Sequence, residues 1–121
     1  MGHTATATIT ATALTKDTAS ATMALAGGTA FTDASTLEVA YPKEGALLIR
    51  IYSDYAGANT AIIEAGEYTA AGKGSITVTT AQSGVYYIVV SSDRCKDWDG
   101  MVNITFGTSA TGYVRAFTIP T

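Results

Sequence analysis

Residues 46–53 run Ala46-Leu47-Leu48-Ile49-Arg50-Ile51-Tyr52-Ser53, and their reading decides the fold class. Successive side chains of an extended chain point to opposite faces, so Leu47, Ile49 and Ile51 share an inward face while Arg50 and Tyr52 look outward. A period of two predicts a half-buried strand and not a helix. On the N-terminal side, Pro42-Lys43-Glu44-Gly45 breaks the pattern, and before it Thr36 to Tyr41 puts Leu37, Val39 and Tyr41 on one face. On the other side Asn59 to Glu64 follows a Gly-containing turn. Gly66 to Gly74 then holds three glycines and no large aliphatic residue, which is the composition of an exposed loop. Ser75 to Thr80 resumes the alternation, with Ile76 and Val78 inward and Thr77 and Thr79 outward.

Val85-Tyr86-Tyr87-Ile88-Val89-Val90 is apolar on both faces, so this strand is expected either at the centre of a sandwich or beneath a partner. Met101 to Phe106 and Tyr113 to Ile119 complete the set, and Gly107 to Gly112 between them predicts a hairpin with a short loop. Eight or nine short strands at roughly 8 to 12 residue spacing indicate an all-β fold, an antiparallel β-sandwich of jelly-roll-like type. Neither a meander nor a single hairpin could bury both apolar faces.

The first third differs. Residues 1–36 hold only Ile9, Leu14, Leu25 and Phe31 of the 24 Leu, Ile, Val and Phe residues. The core is therefore expected in a sandwich body of residues 37–121, with residues 1–36 forming an extended Thr/Ala-rich arm and a lead-in strand. Residues 4–13 alternate, showing Thr on one face and mainly Ala on the other. Burying methyl groups that small stabilises little, so the segment needs a sheet edge to pair with, in its own sheet or on another molecule. Thr4, Thr6, Thr8, Ile9, Thr10 and Leu14 are the arm residues expected at that contact. Tyr86, Ile88 and Val90 of the doubly apolar strand are further interface candidates, as is Trp98.

Length and charge narrow the classes of function. A chain of 121 residues allows one domain. Seven Lys and Arg against ten Asp and Glu exclude a polycationic nucleic-acid binder, one cysteine excludes a disulfide scaffold, and no apolar run is long enough for a membrane span. Met1-Gly2-His3-Thr4 lacks the basic and apolar regions of a secretory signal, which predicts synthesis in the cytoplasm.

Catalysis is not expected, because the only imidazole, His3, lies near a terminus that is expected to be mobile. Cys95, between Arg94 and Lys96, reads as the free thiol of a surface loop. Gly72-Lys73-Gly74-Ser75 precedes a strand where a phosphate loop needs a helix, and Glu64 and Glu67 flank a glycine-rich loop with no evident cleft aromatics. Asp93, Asp97 and Asp99 form the one candidate metal cluster. With backbone carbonyls they suit calcium; otherwise Asp93 and Asp97 solvate the loop beside Arg94 and Lys96 while Asp99-Gly100 turns the chain. Trp98 either caps the end of the core or anchors an interface. No cofactor is expected.

Several blocks carry a resemblance. Ala13-Leu14-Thr15-Lys16-Asp17-Thr18, Tyr41-Pro42-Lys43-Glu44-Gly45, and Ile63-Glu64-Ala65-Gly66 leading through Gly72-Lys73-Gly74 to Ile76-Thr77-Val78-Thr79 resemble small tailed-phage virion proteins that decorate or cement the capsid. Tyr87-Ile88-Val89-Val90, Ser92-Asp93-Arg94, Asp99-Gly100-Met101-Val102-Asn103-Ile104-Thr105-Phe106 and an aliphatic-aromatic final strand follow that family's order and spacing. Cys95 stands where the family pattern has a bulky apolar residue, and Trp98 adds an aromatic nearby.

The resemblance implies a non-enzymatic, oligomeric β-sandwich on the outer capsid surface of a virion. There it would bind the major capsid protein and itself, as a homotrimer first and a dimer second, without nucleic acid, membrane or metal. On this reading the arm clamps a capsid edge and gains order only on docking. Two alternatives stand beside it. One is a carbohydrate-binding module of a tail or adhesin, with Tyr41, Tyr52, Tyr55 and Tyr68 as a stacking platform; the other is a head-tail connector or tail component.

Overall fold

The computed structural model describes residues 5–20, 22–68, 72–91 and 93–120. Among them are ten strands: β1 Ala7–Ile9, β2 Thr12–Ala13, β3 Thr29–Phe31, β4 Thr36–Ala40, β5 Ala46–Ser53, β6 Asn59–Ile63, β7 Ile76–Thr80, β8 Val85–Val90, β9 Met101–Phe106 and β10 Gly112–Ile119. The first sheet is ordered β1-β4-β9-β6-β7, and the second β2-β10-β5-β8, with β3 also on β10. This is the β-sandwich that the alternation predicts. Leu37, Val39, Ile63, Val102 and Ile104 of the first sheet meet Leu47, Ile49, Ile51, Val114 and Ala116 of the second in one core. Each large aliphatic side chain so buried contributes roughly 1.5–3 kcal/mol, so these facing rows are the main stabilising term.

The strand pairings are antiparallel with two exceptions, and both exceptions belong to the Thr/Ala segment. β1 runs parallel to β4, with Ile9 beside Val39, and β2 runs parallel to β10, with Thr12 beside Phe117. Thr10 and Ala11 carry the chain from the edge of one sheet to the edge of the other, closing that side of the sandwich. Of the two edges open to such a segment, the structure uses the chain's own. Thr6 fixes the entry: its N–H donates to Thr36 O at 2.7 Å, and its Oγ1 accepts from the Thr36 N–H at 3.0 Å. Thr8 donates from Oγ1 to Glu38 Oε1 at 2.9 Å. The threonines face out as expected, while Ile9 enters the core and Ala7 and Ala11 pack against it. Thr4 and His3 lie outside the described residues.

The expected hairpin between Met101–Phe106 and Tyr113–Ile119 does not form, since β9 and β10 belong to different sheets. Both sides of β9 are taken by β4 and β6, and both sides of β10 by β5 and by β2 with β3. Residues 107–112 instead cross between the layers, burying Ala110 on the way. A side chain at Gly112 would collide with the Tyr52 carbonyl and the Phe31 ring, so only glycine fits this crossing (φ +155°). Phe31 of β3 stacks on Phe106 of β9, with ring centroids 3.8 Å apart and planes within 7°, pinning the two layers together at this end.

Residues 14–20 and 22–28 form a strap over the outer face of the second sheet. The strap explains a departure from the outward reading of Arg50, which is only 4% exposed although its direction is away from the core. Arg50 Nη2 donates to the carbonyls of Ala24, at 3.0 Å, and Leu25, at 3.3 Å. Gly27 and Gly28 lie directly on the Arg115 side chain, and at Gly28 the Val114 carbonyl leaves no room for a Cβ.

Candidate functional site

The acidic loop does not gather its carboxylates. Asp93 is exposed and pairs loosely with Lys96 at 3.9 Å, a contact worth little at a surface. Asp97 is buried and accepts from Asn103 Nδ2 at 2.8 Å, while Asp99 accepts from the Met101 N–H at 3.0 Å and so shapes its own turn. No group of three potential metal ligands comes together among the described residues. Calcium thus loses its candidate cluster, because the chain turns between Asp93 and Asp99 and sends the three side chains apart. The two glutamates are likewise separate: Glu64 accepts from Thr105 Oγ1, and Glu67 from the Trp98 N–H at 3.1 Å. Arg94 holds the glycine-rich loop by its carbonyls, reaching Gly74 O at 2.7 Å, Ser75 O at 3.1 Å and Lys73 O at 3.2 Å.

The four tyrosines of the stacking platform do not meet. Tyr41 and Tyr68 flank the Lys96 ammonium at 5.5 and 5.3 Å, a cation–π arrangement at one end of the sandwich. Tyr52 lies instead on the outer face of the second sheet, level with Tyr113 and Val85. Tyr55 follows β5 at the opposite end.

Cys95 is not a surface thiol. The 3-10 turn Asp93–Cys95 points successive side chains in different directions, so Asp93 is solvated while Cys95 is 1% exposed and packed in the core, its Sγ 3.8 Å from Ile63 O. Burial pushes the thiol above its ordinary value near 9.0, with Arg94 opposing and Glu64 reinforcing the shift. The folded chain therefore keeps this proton to higher pH than the unfolded chain. Stability from this residue is complete below pH 9.0 and declines as pH rises past that value. Urea midpoints should fall above pH 9.0, and Cys95→Ala should flatten that fall even though the variant starts less stable.

Among the described residues β7 and β8 each end a sheet with no strand on the outer side, and of the two it is β8 that carries large exposed apolar side chains. β8 ends the second sheet, so it is not central, and its outer backbone edge has no strand beside it among the described residues. Cross-strand register with β5 sets Ile88 against Ile49 and Val90 against Leu47, which turns Val90 into the core and leaves Tyr86 and Ile88 half-buried on the same side. Of the interface candidates Tyr86, Ile88 and Val90, the first two are half-buried and the third lies in the core, while the alternate residues face solvent: Tyr87 is 63% exposed and Val89 54%. Trp98 is 69% exposed, so it does not cap the core. Tyr86 has a structural task, its hydroxyl accepting from the Ala81 N–H at 2.8 Å. Among the arm residues, Ile9 is buried in the chain's own core, Leu14 is half-buried, and the side chains of Thr6, Thr8 and Thr10 are exposed beside it. Among the described residues no helix is long and apolar enough to cross a membrane.

Comparison of this chain with protein-family models, with curated proteins and with solved structures gives no match. A functional reading rests on the surface itself.

Proposed function

We propose that this chain is a structural virion protein that binds the outer surface of a phage head and stabilises contacts between major capsid subunits. The observation that carries the reading is Tyr87 and Val89 exposed on the same face of an edge strand whose outer side has no strand beside it among the described residues. Apolar side chains on an open edge favour protein association, since a partner covers both the side chains and the unmet backbone groups. The sequence blocks that resemble capsid decoration proteins supply the kind of partner, and Trp98 adds an aromatic anchor of the type enriched at binding hot spots. Self-association into a closed trimer or dimer would use the same edge. The arm enters this reading differently from a clamp: in the free chain it staples the two sheets, and the capsid contact falls to β8.

The test uses expanded heads assembled from the major capsid protein encoded beside this reading frame. The double variant Tyr87→Thr with Val89→Thr, which removes the apolar surface without adding charge beside Arg50, should lower the number of copies sedimenting with heads about tenfold or more, the scale of a lost hot spot, with an unchanged Tm. Undiminished binding, or a reading frame with no capsid gene beside it, would count against the proposal.

A further inference from the structure

Arg50 and Arg115 stand directly opposite one another on β5 and β10. Like charges in that relation repel. Both lie beneath the strap, and the Nε atom of each is buried without a hydrogen-bond partner among the described residues. Arg50 has only the neutral carbonyls of Ala24 and Leu25, and among the described residues neither arginine pairs with a carboxylate. A guanidinium this buried is costly unless an anion answers it.

Arg50 also lines a pocket of about 300 Å³ between the strap and the sheet, where it is the single charged residue among the described ones. Leu14, Met23, Leu48 and Phe117 supply apolar walls, Ser20 a hydroxyl, and Tyr87 a rim open to solvent. The volume is at the lower end of small-molecule sites, and the composition, apolar walls with a few polar groups among them, is theirs as well. A bare phosphate or sulfate would leave those walls uncovered, and a polyanion would find one charge to meet it. We infer that the strap pocket binds an amphiphilic carboxylate, its head held by charge on the guanidinium of Arg50 and its alkyl or aryl body between Leu14, Met23, Leu48 and Phe117. The inference goes beyond the capsid reading and holds without it, and the carboxylate can be a free small molecule or an acidic side chain flanked by apolar residues of a partner.

Calorimetric titration of the intact chain with octanoate, with octanamide and with a short peptide carrying one glutamate between leucines tests this. Octanoate or the peptide should bind with Kd below about 1 mM, as expected for a ligand of roughly ten heavy atoms. The uncharged octanamide should bind at least tenfold more weakly, a comparison that needs no variant. Met23→Trp, which fills the pocket and leaves both arginines in place, and Arg50→Met should each weaken binding at least tenfold. Binding of octanoate alone identifies a free carboxylate, and binding of the peptide alone a protein-borne one. Absence of both, equal affinity for octanoate and octanamide, or full affinity in Met23→Trp overturns the assignment.

Discussion

Phe31→Ala is expected to lower the unfolding free energy by about 3–5 kcal/mol, the usual cost of deleting a buried aromatic ring. Phe31 is 4% exposed, stacks on Phe106 of the other layer and presses on Gly112 where the chain crosses between sheets. Its loss would open a cavity at the one place where β3, β9 and β10 meet. Leu25→Ala is the natural control: Leu25 also belongs to the first third but is 45% exposed, and its truncation should cost less than about 1 kcal/mol. Urea unfolding of both variants checks the pair. Equal, small effects would mean that residues 1–36 are an appendage and not part of the core.

Ile9→Ala should cost about 2–3 kcal/mol, the lower part of the range for such truncations because a short edge strand can partly close the gap. The size of the effect matters less than its concentration dependence. β1 pairs with β4 inside one chain, and Ile9 is 4% exposed there, so the loss should be the same in dilute monomer and in concentrated solution. Amide exchange should agree, with Ala7 to Ile9 protected in the monomer. If the destabilisation vanished on dilution, the segment would be borrowing another molecule's edge.

The strands of the core were legible because inward residues alternate with polar ones; β4, β5 and β9 follow directly from Leu37 and Val39, from Leu47, Ile49 and Ile51, and from Val102 and Ile104. Partners were less legible than strands. The six residues 107–112 are as compatible with a sheet-to-sheet crossing as with a hairpin, and only the occupancy of both sides of β9 decides between them. β8 shows a second limit. In a strand apolar on both faces, parity is silent about which face is inward, and the choice between Tyr86 and Tyr87 is made by Ile88 lying against Ile49. The strap was not legible at all, for residues 14–28 carry neither period, and nothing in Arg50's position on an outward face announces that glycines and carbonyls will cover it.

The parallel pairing of Thr12 with Phe117 also fixes an order of events during synthesis. The partner of β2 is translated roughly a hundred residues after β2 itself, so the early Thr/Ala segment must wait on the ribosome without its neighbour. Contacts so distant along the chain also make for slow folding. The nascent polypeptide should therefore remain protease-sensitive until residues 112–119 clear the exit tunnel, and acquire resistance in one late step.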